Sequence, residues 1–189
     1  MLLLIVIYFL RMSTEVGFLI WLPSALEKAK KLSSAGAGGL ATFPFVVAIV
    51  AMLVNSWHSD KTGERRGHVA LPFALGGMSL LIGVSLSQSL PVLAFVFVCL
   101  TTIGTYGPLG PFWAIPTETL SRDVAATTMG VITAVGSLGG FFGPVAIGYL
   151  NKYEGNFQHG FGLIGLVLLL ISGLCLKIRS VREPAAAGT

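Results

Sequence analysis

The sequence predicts an all-α membrane protein of six transmembrane helices, and three observations carry that prediction. Of 189 residues, 54% are hydrophobic and only 11% are charged, with a mean hydropathy of +0.84. A water-soluble domain carries roughly 25% charged residues, so this chain has too little charge to cover a solvated surface, and its surroundings are lipid. The second observation is length: six stretches approach the roughly 20 apolar residues that a helix needs to cross a bilayer. The third is that the polar connections between them are short, so consecutive spans run antiparallel.

The first span is expected at Leu2–Leu22, and its start lacks the basic segment and cleavage site of a secretory signal. The second is expected at Leu40–Trp57 and ends in the densest charge cluster of the chain, Asp60-Lys61-Thr62-Gly63-Glu64-Arg65-Arg66. The third, Val69–Leu86, stops at the polar turn Ser87-Gln88-Ser89 before Pro91. The fourth, Val92–Ile115, carries Gly104, Gly107, Pro108, Gly110 and Pro111 near its centre. Proline removes a backbone donor and glycine permits bending, so this helix breaks at membrane depth. Broken helices there are tolerated only against protein or a water-filled cavity, which makes the span a candidate cavity lining or hinge. The fifth, Ala125–Leu150, has overlapping small-residue pairs, Gly136 with Gly140 and Gly139 with Gly143. These let a partner helix approach closely, for tight packing or for sliding. After the turn Asn151–Gln158 comes the sixth, Phe161–Ile178.

An even number of spans puts both termini on one side, and excess Lys and Arg marks the cytoplasmic face. With both termini cytoplasmic, that face carries Lys61, Arg65, Arg66, Arg122, Lys177, Arg179 and Arg182. The other face carries Lys28, Lys30, Lys31 and Lys152. The net charge of +4 is small and lies between apolar runs, which suits a lipid bilayer and not nucleic acid. Cys99 and Cys175 both fall inside apolar runs and read as small hydrophobes. His58, His68 and His159 sit at span ends with no metal-ligand spacing. No hydrolase elbow, phosphate-cradling loop or metalloprotease helix is present. No enzyme activity, cofactor or metal is therefore expected, and any transport draws on a gradient.

Two groups of residues carry the functional expectation. Arg11 and Glu15 lie mid-span, four residues apart on one helical face. Ionised groups there cost several kcal/mol, so they pair, face the bundle interior or mark a substrate or proton path. Arg11 is a candidate for an anionic substrate group, and Glu15 for its counter-ion or a proton acceptor; Tyr8 adjoins them. The plainer reading is a self-neutralising pair that fixes packing. In the charged loop, Asp60 ends the second span and Ala125 opens the fifth on the same side. A carboxylate is favoured near a helix N-terminus, so Asp60, Arg65 and Arg66 are expected to latch neighbouring helix ends, with Lys61 and Gly63 completing the loop. The plainer reading of these cations is that they set sidedness.

The loop resembles the cytoplasmic signature of the major facilitator superfamily, and its Glu64 variant, preceded by His58-Ser59 and followed by His68, resembles the anion:cation symporter branch. Gly110-Pro111-Phe112-Trp113-Ala114-Ile115-Pro116-Thr117 resembles a second block of that branch. Ser137-Leu138-Gly139-Gly140-Phe141-Phe142-Gly143-Pro144 resembles its glycine-rich penultimate helix, and Trp21-Leu22-Pro23 the end of its seventh span. The resemblance covers essentially the whole chain and implies spans seven to twelve, one half of the fold, with an inverted 3+3 helix repeat. It implies a six-helix domain over 1–183 and a disordered tail at 184–189. It also implies a separate six-helix first half or a self-associated copy as partner, the branch's usual proton-coupling carboxylates lying in that first half. By resemblance the chain transports a small organic anion, a sugar acid or dicarboxylate, with protons across a bacterial inner membrane by alternating access. Arg11 and Glu15 then contribute to the cavity, with Tyr8, Thr133 and Ser137. Thr133 and Ser137 stand where the branch often has asparagines, and Val16 where it often has tyrosine, so the substrate is open. The alternatives are a non-transporting membrane fragment or assembly partner, and half of a drug-efflux transporter.

Overall fold

The computed structural model describes residues 1–30, 34–154 and 157–178. Lys31, Arg179, Arg182 and the expected tail at 184–189 lie outside the described residues. Within them are six helical spans long and apolar enough to cross a membrane, and no strand.

Helix α1, Leu2–Lys30, runs through Pro23 instead of ending there. A single proline removes one backbone donor, and Ser24–Lys30 is rich in the strong helix formers Ala, Leu, Glu and Lys. Helix α2, Ser34–Thr62, likewise starts before the expected Leu40. Helix α3 spans Arg66–Leu86.

The fourth span is broken, as its glycines and prolines require. Helix α4, Pro91–Tyr106, opens on a proline in its first turn, and α5, Leu109–Thr119, resumes after Gly107 and Pro108. The fifth span is also broken, into α6, Arg122–Ser137, and α7, Gly139–Glu154. Leu138 is the joint, its N–H donating to the Val135 carbonyl at 3.3 Å in a tightened turn. Helix α8, Gln158–Cys175, closes the bundle.

Small residues set the closest contacts, as expected between helices in lipid. Gly76 of α3 and Gly104 of α4 bring two backbones together with no room for a methyl group. The glycine stripe of the fifth span faces α1: Gly136 packs on Tyr8, Gly139 on the Phe9 carbonyl and Gly143 on the Ser13 carbonyl. Buried hydroxyls are satisfied by neighbouring helix carbonyls, Ser172 on Ala70 at 2.8 Å and Thr102 on Pro44 at 3.0 Å. The core holds Phe73, Leu80, Phe112, Leu168 and Ile171, all nearly inaccessible. By contrast Phe43, Val46, Val50, Leu53 and Trp57 of α2 are each more than half exposed. An apolar ridge of that kind is stable only against lipid or another helix.

Candidate functional site

Two polar clusters stand out against the apolar bundle. The first is at membrane depth. Arg11 and Glu15, one turn apart on α1, form an ion pair in which their side chains are only 4% and 17% exposed. The guanidinium carbon lies 5.5 Å from the centre of the Tyr8 ring. That ring stacks on Phe112 at 5.8 Å and meets Trp113 edge-on at 5.1 Å, both from α5. Tyr106, the last residue of α4, lies close enough to Glu15 for the two groups to interact electrostatically. The broken span thus brings a phenol and an aromatic wall to the pair. Neither Tyr106 nor the wall was assigned from sequence; the signal was the aromatic content of the Tyr106–Trp113 segment.

The guanidinium is poorly satisfied for a buried cation. One terminal nitrogen meets Glu15, the other reaches only the Met12 thioether at 3.7 Å, and Nε is buried with no partner among the described residues. Arginine carries five N–H donors suited to bidentate recognition of carboxylates, so the site retains donor capacity. Of the other residues expected here, Tyr8 is in the cluster, whereas Thr133 and Ser137 lie exposed on α6. They flank Gly136, which packs on Tyr8, but neither bonds to the ion pair.

The second cluster is the α2–α3 loop. Gly63 adopts a left-handed backbone (φ 65°), and its N–H closes the end of α2 on the Ser59 carbonyl at 2.9 Å. This is the C-terminal cap for which glycine is favoured. The turn delivers Arg65 into a nest of acceptors. Its Nη1 donates to Asp60 at 2.6 Å and to Ser59 Oγ at 3.0 Å. Its Nε donates to both Glu118 oxygens at 3.1 and 3.2 Å, and Nη2 also meets Glu118. Glu118 beside it, opposed by burial and assisted by Asp60, holds the Arg65 pKa above its ordinary value.

Arg65 therefore ties α2 to the end of α5. Asp60, expected to meet the start of the fifth span, is engaged by Arg65 beside it, and among the described residues no bond from it to that span is seen. Arg66 is exposed, and Lys61 lies over the Trp57 ring one turn back at 5.2 Å; neither joins the tie. Glu118 went unassigned from sequence, although it is a carboxylate just past the Gly-Pro-Phe-Trp block at a span end.

Glu64 and the histidines form a third side of this loop. Glu64 caps α3, accepting the Gly67 N–H at 2.6 Å and the His68 ring at 2.8 Å. Burial raises the Glu64 pKa, but these bonds outweigh it and hold the carboxyl below its ordinary value. His68 and His58, expected as separate interfacial residues, face each other at 2.6 Å. Asn55 donates to the carbonyls of His68 and Gly107, both at 2.9 Å, so one amide spans α3 and the α4–α5 break. These residues border a cavity of about 570 Å³ between α2, α3 and α4. Among the described residues no group of three His, Cys, Asp or Glu side chains is placed to hold a metal.

Six spans, two of them broken, with a glycine-turned basic loop and a buried ion pair, fit one half of a larger helical membrane fold. The chain belongs to the major facilitator superfamily, whose family model matches residues 2–189. It is 28% identical to a quinolone resistance transporter of Acinetobacter baumannii, over 88% of this chain and 38% of that one. It is 32% identical to a putative tartrate transporter of Agrobacterium vitis, over 89% of this chain and 38% of that one. It is 33% identical to an inner membrane transport protein of Escherichia coli, over 75% of this chain and 33% of that one. The chain thus spans under two fifths of the length of each of these three relatives.

Proposed function

We propose that this chain supplies the carboxy-terminal half, over 1–183, of a proton-coupled secondary transporter for small organic anions such as sugar acids or dicarboxylates. Its partner is a six-helix first half, or a second copy of itself, in a bacterial inner membrane with both termini cytoplasmic. The observation that carries this reading is Arg11: a guanidinium 4% exposed at membrane depth, with N–H donors left over. Such a group is costly to keep unless it has a use, and its donor geometry fits a carboxylate. Tyr8 positions it, and Thr133 and Ser137 offer hydroxyls from the exposed face of α6. The tartrate relative supports the same substrate class.

In this reading the loop is the cytoplasmic gate. Arg65, held by Asp60 and Glu118, clasps α2 to α5 when that side is shut; Gly63 makes the turn, and Lys61 and Arg66 keep the loop in the cytoplasm. Alternating access is the rocking of this half against the other. The quinolone-resistance relative favours a second reading, drug efflux, for which the Tyr8–Phe112–Trp113 wall is the suited surface.

Proteoliposome uptake of labelled tartrate, by this chain alone and with a first half from a relative, tests the proposal. Uptake driven by an inward proton gradient and lost in Arg11→Gln supports it. No uptake in either arm favours the non-transporting fragment, and competition by quinolones but not by dicarboxylates favours efflux.

A further inference from the structure

We propose that His58 and His68 form a binding site for a divalent transition metal that joins α2 to α3 at the charged loop, with Glu64 as the positioning residue behind His68. The site is separate from the Arg11 cluster and stands or falls independently of the reading given to it.

The argument starts from the ring nitrogens. His58 Nδ1 and His68 Nε2 face each other at 2.6 Å, and His68 Nδ1 lies 2.8 Å from Glu64 Oε2. With both rings neutral, His68 satisfies Glu64 only by carrying its proton on Nδ1. That leaves its Nε2 as a lone pair directed at His58. This is the tautomer a metal-binding imidazole needs, and a carboxylate on the far ring nitrogen is the usual means of fixing it. Glu64 is itself held, its other oxygen accepting the Gly67 N–H at 2.6 Å. Arg65 and Lys61 do not compete for it: Arg65 is bonded to Asp60 and Glu118, and Lys61 lies over the Trp57 ring. Glu64 and His68 thus form a supported donor whose ring direction is set.

The geometry leaves room for an ion. Zinc binds imidazole nitrogen at about 2.0–2.1 Å in a tetrahedron, which sets two ligating nitrogens about 3.3 Å apart. From their present 2.6 Å the rings must part by about 0.7 Å. His58 is exposed near the end of α2 and has space to swing, whereas His68 is 16% exposed and anchored. Both rings border the cavity of about 570 Å³ between α2, α3 and α4, ample for the waters that complete a four-coordinate ion. On binding, the ion exchanges two of its waters for the two nitrogens. The proton on His58 Nδ1 moves through solvent to Nε2 of the same ring, so both imidazoles stay neutral and no electron is transferred. Neutral imidazole suits zinc, copper and nickel, whereas magnesium and calcium take oxygen ligands.

The pair is a product of the fold. The two histidines are ten residues apart in sequence, and the left-handed turn at Gly63 folds α3 back beside α2. Helices α2 and α3 otherwise share little packing, and the cavity lies between them. An ion held by the two rings therefore ties together two helices that the apolar core leaves apart.

Zinc binding tests this. The tag-free chain in lipid nanodiscs is titrated with zinc at neutral pH against a chromophoric chelator, with empty nanodiscs as the blank. One zinc per chain is expected, with a micromolar dissociation constant, weaker than that of a four-ligand structural site. His58→Ala and His68→Ala, each with wild-type helicity by circular dichroism, should each lose about tenfold or more in affinity, and Glu64→Gln about tenfold. His159→Ala, in the first turn of α8, should bind as the wild type does. X-ray absorption of the zinc-loaded chain should find two imidazole nitrogens at about 2.0–2.1 Å. Saturating zinc should raise the melting temperature of the wild type and not that of His58→Ala. Wild-type uptake no greater than that of empty nanodiscs overturns the proposal, as does zinc affinity that survives the loss of either His58 or His68. Unchanged affinity in Glu64→Gln overturns its role as the positioning residue.

Discussion

Replacing Arg65 by alanine removes a side chain that ties α2 to the end of α5, and its cost can be worked from the geometry. The guanidinium is 10% exposed, while Asp60 is 68% and Glu118 37% exposed. Hydrogen bonds to charged groups contribute about 1.5–3 kcal/mol when shielded, and exposed ion pairs about 0.2–1 kcal/mol. The bidentate Glu118 contact lies between these limits, so an Arg65–Glu118 coupling of about 1 kcal/mol is expected. The more exposed Asp60 should couple by less than about 0.5 kcal/mol. The assay is a double-mutant cycle of Arg65→Ala and Glu118→Ala, followed by reversible unfolding of the purified chain in mixed micelles. Effects that add to within about 0.3 kcal/mol would refute the tie. They would show that the two side chains meet without holding the helices together.

Three further outcomes follow from the same geometry. The Glu64 carboxyl lies below its ordinary value in the folded chain, so its contribution is complete above the unfolded value and is lost as pH falls through the folded one. Unfolding of the wild type should lose stability in that acid range, and Glu64→Gln should be less stable at pH 7 with a flatter profile. Gly104→Ala drives a methyl into the Gly76 backbone and should cost at least about 1–3 kcal/mol, seen as a lower melting temperature. Asn55→Ala leaves the His68 and Gly107 carbonyls without their side-chain donor and should cost about 1–3 kcal/mol in the same assay.

The spans were legible because lipid imposes a length and a hydropathy on every helix, and both are local properties of sequence. The break after Tyr106 was legible for the same reason, since proline and glycine act where they stand. The pairing of Arg11 with Glu15 was legible from their spacing on one helix face. What escaped was set by contacts distant in sequence. Nothing local distinguishes Leu138 as a joint; it breaks where Gly139 and Gly143 are pressed onto α1 and Pro144 follows. Pro23 reads as a stop, yet Leu26 beyond it is buried and holds the extended helix in place. Glu118 is separated from Arg65 by the whole of α3, α4 and most of α5, so charge alone could not select it over the start of α6. The His58–His68 contact depends on the Gly63 turn folding α3 back beside α2, which spacing does not encode.

The most direct measurement is the ¹⁵N–¹H resonance of Arg11 Nε, followed in the chain in lipid nanodiscs as tartrate is added, alone and beside a first half from a relative. If the spare donors of that guanidinium receive a substrate carboxylate, the resonance shifts in a saturable way and exchanges more slowly with water. A resonance that stays where it began, while tartrate is taken up or bound elsewhere, contradicts the assignment of Arg11 as the anion-recognising residue.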